Sequence, residues 1–535
     1  MHHHHHAFAC HASAAFRVLF LFAGSCLLLG RPLPARAADY NVTLPTWGTA
    51  SDVGSFAWAV EQANTNPGID TIRVQAGLDI DVDVGSTLAD WPTWVTRFTD
   101  SVVVEGNNAR LVANPTYVTS GGQVATKTNI VGSAYSDPIK GTDVVTTPGV
   151  SFAQVGTYQQ DNTGIGVTFR NLNADGLGSL VLVNENATLN VVGGNFNNIV
   201  NYTGVNGRSA FSARAGSTMN LNGISLNRNF PFGDFIAVDN YAIFSGSIDG
   251  MDATLNLQNS TVTGSYGAGA IAWNGGTANV VSSIIANSGG LQIEDGTLEG
   301  VLNVTNSIVN FNGGETLQQT NRIIAGVGGV ANVTASTILY NSLFTTGHAD
   351  PFNNNGMPLT AAIGGTLNVQ SSAVIPLNWD EFYAGHQTYA EMTGGNLTAD
   401  DFSYIAATAS QDRAALQSLF GNSNFLTEGE TVSIIDFSGT DLFEDLPYGA
   451  VPLSTGVLID AVPNAGTGGV NELINPIDGL PLLYDVYGNA RTNGLGFRNI
   501  GAVQAVPEPS TLVSLAGGAC VAAVLAWRRR RTRAA

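Results

Sequence analysis

The stretch ATLNLQNSTV at residues 253–262 decides the fold, because the chain returns to its pattern many times. A central asparagine is flanked by two leucines, and a serine follows four positions later. Six other segments share the apolar–Asn–apolar pattern, at intervals of 23 to 36 residues. The shared asparagines are Asn190, Asn220, Asn256, Asn279, Asn303, Asn332 and Asn368.

A period of this length, built from short strands and Gly/Asn turns, is typical of a solenoid. On a strand, Leu255 and Leu257 point one way and Asn256 points the other. Stacked coils would therefore bury the aliphatic residues in one core and place the asparagines in a ladder on the opposite face. An array of β-sandwiches is the competing interpretation, but each sandwich needs about 100 residues. A second ladder is predicted for the serines of five segments, Ser260, Ser283, Ser307, Ser336 and Ser372.

Four earlier segments extend the pattern toward the N-terminus. They are DTIRVQAG (70–77), DSVVVEGNNARLV (100–112), VTFRNLN (167–173) and SLVLVNEN (179–186). Together with the Asn repeats, they resemble the right-handed parallel β-helix of pectin-lyase-like proteins. The resemblance implies an all-β, right-handed parallel β-helix solenoid over residues 70–375. It implies the fold alone, since one fold serves many functions.

The N-terminal end of a solenoid needs a cover, because an open coil recruits other strands. The segment SDVGSFAWAVEQANTNPGID (51–70) predicts a helical cap, assigned to residues 38–69. Ser55 is a suitable N-cap, and Asn66-Pro67-Gly68 ends the helix. The segment also resembles the N-terminal part of exported bacterial β-helices. The residues at helical spacing are Phe56, Ala59, Val60 and Ala63.

The Asn pattern stops after Ile375, and residues 376–505 are predicted to form a small helical or irregular C-terminal cover. The segment LTADDFSYIAATASQDRAALQSLFG (397–421) predicts a mostly helical part, with Asp400 and Asp401 in its first turn. Two later segments, GVLIDAVPNAG (456–466) and YDVYGNARTNGLGFRNIGAVQ (484–504), resemble the choice-of-anchor Q module. Its Asp-x-x-Gly-x-x-Arg pattern fits Asp485, Gly488 and Arg491, and its closing Asp-Ile-Gly-Ala becomes Asn499-Ile500-Gly501-Ala502.

The last 30 residues combine three features in a fixed order. Residues 511–527 carry no charge, and as a helix they would span about 26 Å, enough to cross a bilayer core. The order of Pro507-Glu508-Pro509, apolar helix and basic tail resembles the PEP-CTERM sorting signal of exported bacterial proteins. The resemblance assigns residues 506–535 to this signal, with a transmembrane helix at 511–527 and a basic tail at 528–535. It implies an exosortase-type enzyme that processes the chain near Pro507, Glu508 and Pro509. The tail contains Arg528, Arg529, Arg530, Arg531 and Arg533, which favour a cytoplasmic end.

The N-terminus predicts a secretory signal peptide over residues 1–37, and therefore export machinery as a partner. Arg17 precedes an apolar stretch at residues 18–30, and Ala35-Arg36-Ala37 has the small-x-small pattern of a cleavage site, with Ala35 and Ala37 as the small residues.

The exported body is predicted to contain no disulfide bond. All three cysteines lie in the terminal segments, namely Cys10, Cys26 and Cys520.

The charge balance excludes some partners. The chain has 21 Lys+Arg against 41 Asp+Glu, a formal net charge of −20. Eight of the basic residues lie in the two terminal segments, so the body between them is more acidic still. Such a charge argues against nucleic acid and anionic lipid as partners. It suits cations, or simply solubility outside the cell.

The body of the chain lacks the catalytic residues that several enzyme classes require. Beyond the leader, only His348 and His386 remain, and no cysteine is left in the body. Zinc clusters and cysteine nucleophiles are therefore excluded, and no G-x-S-x-G motif joins a strand to a helix. Polysaccharide cleavage is the remaining enzymatic hypothesis, since two carboxylates on neighbouring coils suit it. The candidate catalytic acids are Asp249, Asp252, Glu294 and Asp295.

One acidic strand is a candidate calcium site. In LDIDVDVG (78–85), Asp79, Asp81 and Asp83 share one strand face, and their oxygens suit Ca²⁺. A solvated strand face is the alternative interpretation of this row. No other cofactor is predicted.

The sequence thus predicts an exported protein that is held in the membrane by its C-terminal helix before processing. Afterwards it is expected at the cell surface or outside the cell. The leading hypothesis is a structural or adhesive, non-catalytic component of the cell surface or extracellular matrix, with extracellular polysaccharide as a candidate partner. A polysaccharide lyase or glycoside hydrolase is the alternative.

Overall fold

A computed structural model shows that the chain forms three long parallel β-sheets, the arrangement of a parallel β-helix. One coil contributes one strand to each sheet, and the next coil stacks on it. The right-handed winding stays a prediction. The structure describes residues 37–82, 94–113, 116–118, 124–126, 144–147, 151–197, 199–201, 210–231, 236–239, 253–265, 270–273, 276–286, 290–293, 300–311, 322–325, 329–340, 359–361, 365–376, 390–392, 396–400, 402–406, 424–426, 433–435, 449–451, 462–463, 473–491, 497–498 and 502.

The sheet that carries the repeated asparagines is sheet A. Its twelve strands are Asp39–Val42, Asp70–Val74, Val102–Glu105, Gly166–Arg170, Thr188–Val192, Thr218–Asn222, Thr254–Gln258, Thr277–Val281, Val301–Thr305, Val330–Thr334, Thr366–Gln370 and Asn396–Ala399.

Sheet B follows sheet A within each coil, after a short corner. Its strands are Asp79–Asp81, Arg110–Val112, Asn173–Asp175, Asn195–Asn197, Val200–Asn201, Ser225–Pro231, Thr261–Ser265, Ile284–Ala286, Ile308–Phe311, Thr337–Tyr340, Ala373–Pro376, Tyr404–Ala406 and Asn424–Leu426.

Sheet C precedes sheet A within each coil. Its ten strands are Trp94–Phe98, Ser151–Val155, Val181–Val183, Phe211–Ala213, Ile236–Asp239, Ala270–Trp273, Gly290–Ile293, Arg322–Ala325, Leu359–Ala361 and Ala390–Met392. Three small antiparallel sheets lie outside the coils. They pair Thr116–Val118 with Val124–Thr126 and Val144–Thr147, Ser433–Ile435 with Gly449–Val451, and Val462–Pro463 with Phe497–Arg498.

The register of sheet A confirms the predicted inward and outward alternation. Asn220 pairs with Asn256, and Asn256 pairs with Asn279, so like residues stack on like residues. Leu255 and Leu257 are fully buried in the central core, whereas Asn256 is half-buried on the outer face. The two residues that flank each repeated asparagine are at most 1 % exposed in all seven coils. Because the strand period is two, a slip of one residue would exchange core and surface.

The predicted asparagine ladder forms as a chain of amide–amide hydrogen bonds. Each Nδ2 donates to the Oδ1 of the asparagine in the preceding coil, at 2.8 Å from Asn256 to Asn220 and at 2.9 Å from Asn368 to Asn332. The same bond joins every neighbouring pair between Asn190 and Asn368. Hydroxyl groups continue the ladder at both ends, through Thr168 and Thr398.

The predicted serine ladder lies buried at the corner between sheets A and B. In the coil of Ser307, the hydroxyl accepts a hydrogen bond from Ser283 N at 3.1 Å and donates to Thr305 O at 2.9 Å. Each serine therefore bonds backbone groups of two successive coils, and the N–H from which it accepts would otherwise be buried without a partner. The ladder runs one coil further than the repeat predicted, because Ser372 N donates to Ser403 Oγ at 3.4 Å.

In the seven coils of the Asn repeat, the corner residue that directly follows the sheet A strand has a left-handed backbone. Gly193 and Gly223 hold it in two early coils, each with φ of 67°. In the five later coils, non-glycine residues adopt it, with φ between 47° and 53°. These five coils are the ones with a corner serine. The later residues are Asn259, Ser282, Asn306, Ala335 and Ser371.

The predicted N-terminal helix is confirmed over Phe56–Thr65. Ser55 is its N-cap and accepts a hydrogen bond from Trp58 N at 3.1 Å. Phe56 stacks on Trp47 with ring centroids 4.9 Å apart and meets Phe152 of sheet C edge-on at 5.8 Å. The helix thereby covers the N-terminal end of the core with aromatic side chains. Its buried residues are the four predicted ones, Phe56, Ala59, Val60 and Ala63.

The helix predicted over residues 397–421 is wrong for the part that the structure describes. Asn396–Ala399 adds a strand to sheet A, and Tyr404–Ala406 adds one to sheet B. Asp400 lies at the corner, where its carboxylate accepts hydrogen bonds from Ser371 N and Ser403 Oγ. A side chain that suits the first turn of a helix therefore completes a solenoid corner. The coils continue past Ile375 to Asn424–Leu426.

The terminal segments lie outside the described residues, including the predicted signal peptide up to residue 36 and the apolar segment 511–527. Among the residues that the structure describes, none belongs to a helix with the length and apolar character needed to span a bilayer.

Replacing a core leucine should destabilise the solenoid. Leu255→Ala removes a fully buried side chain between Met219 and Ala278, and we expect a loss of about 2–5 kcal/mol in the free energy of unfolding. Chemical denaturation followed by circular dichroism measures this change. The control is Thr254→Ala, on the outer face of the same strand, with an expected change within about 0.5 kcal/mol. Equal effects of the two changes would contradict the assignment of the core face.

Removing one corner hydroxyl should lower the free energy of unfolding by more than the small size of the group suggests. Ser307→Ala leaves the buried Ser283 N–H without its acceptor, and we expect a loss of about 1–3 kcal/mol in the same measurement. Ser225→Ala, at the half-buried start of a sheet B strand, is the matched control and should be nearly neutral. An effect of Ser307→Ala no larger than that of the control would argue against a structural role for the serine ladder.

Candidate functional site

A C-terminal segment crosses the outside of the solenoid at the corner between sheets A and B. This segment, residues 473–491 together with Ala502, is called the strap below. Asn306 Nδ2 at the corner donates to Tyr484 O at 2.9 Å, and Arg491 Nη1 donates to Asn306 Oδ1. Ala502 N donates to Thr337 Oγ1 at 3.0 Å. The strap is thus fixed to two neighbouring coils far from it in sequence.

The residues of the Asp-x-x-Gly-x-x-Arg pattern shape a turn of the strap through contacts within the strap itself. Asp485 is buried, and its carboxylate accepts hydrogen bonds from Tyr487 N at 2.9 Å and from Asn489 N at 2.7 Å. Gly488 has φ of 85°, a conformation that side chains with a Cβ rarely adopt. The turn returns the chain so that Arg491 N donates to Leu483 O at 2.8 Å. Each of the three motif residues therefore has a local structural task.

Arg491 is the residue that joins the strap to the solenoid. Its side chain is 2 % exposed, and Nη1 donates both to Asn306 Oδ1 and, at 3.4 Å, to Ala502 O. A buried guanidinium with such partners fixes orientation, because its donors have a rigid geometry. The resemblance located this arginine, whereas its partner Asn306 had no sequence signal as a contact.

Burial on the outer face of sheet A marks the path of the strap. Val192 and Val281 occupy equivalent outward positions in their strands, but Val192 is 46 % exposed and Val281 is fully buried. Thr305, in the next coil after Val281, is also buried at 5 % exposure. Thr305 lies directly before Asn306, where the strap is bound, and Val281 lies at the equivalent position one coil earlier. The outer face of sheet A is therefore buried next to the strap.

An open groove of about 610 Å³ lies between the strap and the corner. The solenoid side is formed by Gln258, Asn259 and Ser282, all polar. Partial burial and the nearby Asp485 carboxylate raise the pKa of Tyr487, a strap residue beside the groove, to about 12. The strap side is lined by Asn475, Asp478, Leu480, Pro481, Leu482, Leu483, Tyr484, Asp485, Val486 and Gly488.

The structure describes two members of the predicted calcium row, Asp79 and Asp81, while Asp83 lies outside the described residues. Ile80 between them is fully buried, so the alternation is as expected. Asp79 is paired with Arg110 of the next coil at 2.7 Å, and this hydrogen bond raises the pKa of Arg110. Among the described residues, no group of three or more His, Cys, Asp or Glu side chains is arranged to hold a metal ion. Calcium binding at this row stays a prediction.

The candidate catalytic acids Asp249, Asp252, Glu294 and Asp295 lie outside the described residues, as do His348 and His386. Their role in polysaccharide cleavage stays a prediction.

Sequence reasoning missed one buried charge pair at the end of sheet C strands. Arg214 and Glu185 are 8 % and 5 % exposed, with Arg214 Nη1 3.7 Å from Glu185 Oε1. The guanidinium also lies over the Tyr158 ring, 4.3 Å from its centroid, and Glu185 Oε2 accepts from Gln159 N at 3.0 Å. Because both charges have partners within the fold, the pair fixes the loop of Tyr158 to the coils.

The strap leads directly into the C-terminal tail. Residues 505–531 match the PEP-CTERM protein-sorting motif. The chain is thus an exported protein sorted to the cell envelope in association with the membrane, and an exosortase is the kind of enzyme that processes it. The PEP-CTERM motif includes Pro507, Glu508, Pro509 and the arginines from Arg528 to Arg531. A comparison with curated proteins finds no match to the chain.

The contact between Arg491 and Asn306 should hold the strap in place. We expect Arg491→Ala to increase hydrogen exchange at the strap amides of Val486 and Gly488 while exchange at sheet A is unchanged. In a double-mutant cycle with Asn306→Ala, the two changes should couple by about 0.5–3 kcal/mol.

Alanine is compatible with the left-handed backbone at position 306. Ala335, at the equivalent position of the next coil, has this backbone with φ of 47°. Asn259→Ala, at the same corner position two coils earlier, is the control. Additive effects of the Arg491 and Asn306 changes, or equal loosening by the Asn259 change, would contradict the assignment.

Proposed function

We propose that the chain is a structural or adhesive component of the cell surface or extracellular matrix, without catalytic activity. The exported body is a rigid acidic rod, and the sorting motif brings it to the envelope. The observation that carries the proposal is the unbroken asparagine ladder on the outer face of sheet A. It occupies the accessible face with amides that bind one another, which suits a scaffold better than a reaction site.

The dimensions of the ladder face support a role as a rod. Sheet A has twelve strands, and at about 4.8 Å per strand they extend for about 53 Å. Outward threonines lie in register beside the asparagines in four consecutive coils, so hydroxyl and amide groups recur at the same interval. A regular row of this kind suits the repeated hydroxyl groups of an extracellular polysaccharide. The threonines are Thr188, Thr218, Thr254 and Thr277.

Two finer assignments belong to the same proposal. The body belongs with the right-handed, pectin-lyase-like β-helices, on the strength of repeat style and parallel stacking. The strap corresponds to a choice-of-anchor Q module, on the strength of Asp485, Gly488 and Arg491. The choice-of-anchor Q assignment agrees with a display role, whereas the β-helix assignment describes the fold alone.

Incubation of the exported protein with a panel of extracellular glycans tests the proposal, with and without calcium. We expect glycans to be retained on the immobilised protein without any shortening of their chains. Size-exclusion chromatography of the glycans measures the shortening. Shortening that Asp249→Asn or Asp295→Asn abolishes would establish the alternative, a polysaccharide lyase or glycoside hydrolase. Asp478→Asn, an exposed strap acid outside that group, is the control variant.

A further inference from the structure

The strap carries an unusual concentration of exposed apolar side chains. Within its 19 consecutive residues, 473–491, five large apolar side chains are between 40 % and 61 % exposed. Among the other described residues, the exposed large apolar side chains are Leu44, Val53 and Ile69 near the N-terminal cap and Val192 on sheet A. The five strap residues, called the strap patch below, are Ile474, Leu480, Leu483, Tyr484 and Tyr487.

The position of the strap limits how far this patch is from the membrane. Ala502 is bound to Thr337 at 3.0 Å, and the sorting motif begins at residue 505. The uncharged segment of the tail begins at Thr511, nine residues after Ala502. Nine extended residues reach at most about 32 Å. While the tail is inserted, Ala502 must therefore stay within this distance of the membrane surface.

The side chains of the strap patch suit the interface between water and lipid. Leucine and isoleucine gain from leaving water, and tyrosine combines an apolar ring with a hydroxyl that stays hydrated. The single arginine of the strap, Arg491, is buried against the solenoid, so the patch offers no cation to anionic lipids. With a net charge of −20, the chain suits a zwitterionic surface better than an anionic one.

We propose that the strap patch lies against the outer surface of the membrane while the sorting tail is inserted. The chain leaves the solenoid at its flank, beside the coils of Asn306 and Thr337, and not at the last coil near Leu426. Contact through the patch therefore holds the rod by its side, with the corner between sheets A and B toward the lipid. The proposal rests on the sorting motif and the strap, and it holds whether or not the rod is adhesive.

A fluorescent probe at the centre of the patch tests this contact. The full chain with Leu483→Cys, and with its own cysteines replaced by serine, is labelled with an environment-sensitive dye. It is then reconstituted through its tail into phosphatidylcholine vesicles that contain nitroxide-labelled lipid. We expect the nitroxides to quench this label several-fold more than one placed through Val192→Cys, an exposed site on the ladder face.

A second variant separates contact from mere proximity. Ile474→Asp together with Leu480→Asp, in the Leu483→Cys background, should abolish the additional quenching while circular dichroism stays unchanged. Equal quenching at positions 483 and 192 would overturn the proposal. Quenching that appears only in membranes containing the processing enzyme would overturn it in favour of a protein partner. Blue-shifted emission without quenching would assign the patch to the chain's own apolar segment 511–527, and would also overturn it.

Discussion

The structure depends on one constraint, the in-register stacking of aliphatic side chains along a single core. In sheet A, each apolar residue that flanks an asparagine lies on the equivalent residue of the coil below, from Leu189 to Val369. This stacking excludes water from a column with no disulfide bond to support it. It also fixes the outer face, because a strand that buries every second residue must present the others. The asparagine ladder is a consequence of the core register, and its amide bonds in turn penalise any slip.

The corner between sheets A and B shows two solutions to one backbone problem. A residue must adopt left-handed φ there, which glycine does without steric cost. In the coil of Gly193, a Cβ on the following Gly194 would lie 2.4 Å from Leu172 O, so a serine would not fit. In the later coils, a non-glycine residue takes the strained position and a buried serine follows it. The hydrogen bonds of that serine join two coils. Asn171, with φ of 49°, holds the same position in an earlier coil and is followed by Leu172, so a left-handed asparagine at the corner does not require the serine.

The same corner is where the chain attaches its C-terminal strap. Asn306 is at once a left-handed corner residue, a donor to Ser282 Oγ at 2.8 Å and the partner of Arg491. An extended rod offers few concave surfaces, so an amide at a corner is a practical place to bind a returning segment. Because the strap ends three residues before the sorting motif, its attachment decides which side of the rod lies next to the tail.

The sequence by itself determined the parallel coils, the faces of Leu255 and Asn256, both ladders, the N-terminal helix with Ser55 as its cap, and the sorting signal. These depend on local periodicity and on short motifs, which the order of residues contains in full. It failed at residues 397–406, where a helical pattern gave way to strands because the preceding coil offered backbone groups to pair with. Only the tertiary structure decided that Arg491 meets Asn306 across 185 residues of chain, that Val281 is buried, and that Glu185 and Arg214 are buried together. Such contacts depend on which coil a loop reaches, and unequal loop lengths leave that undetermined until the coils are stacked.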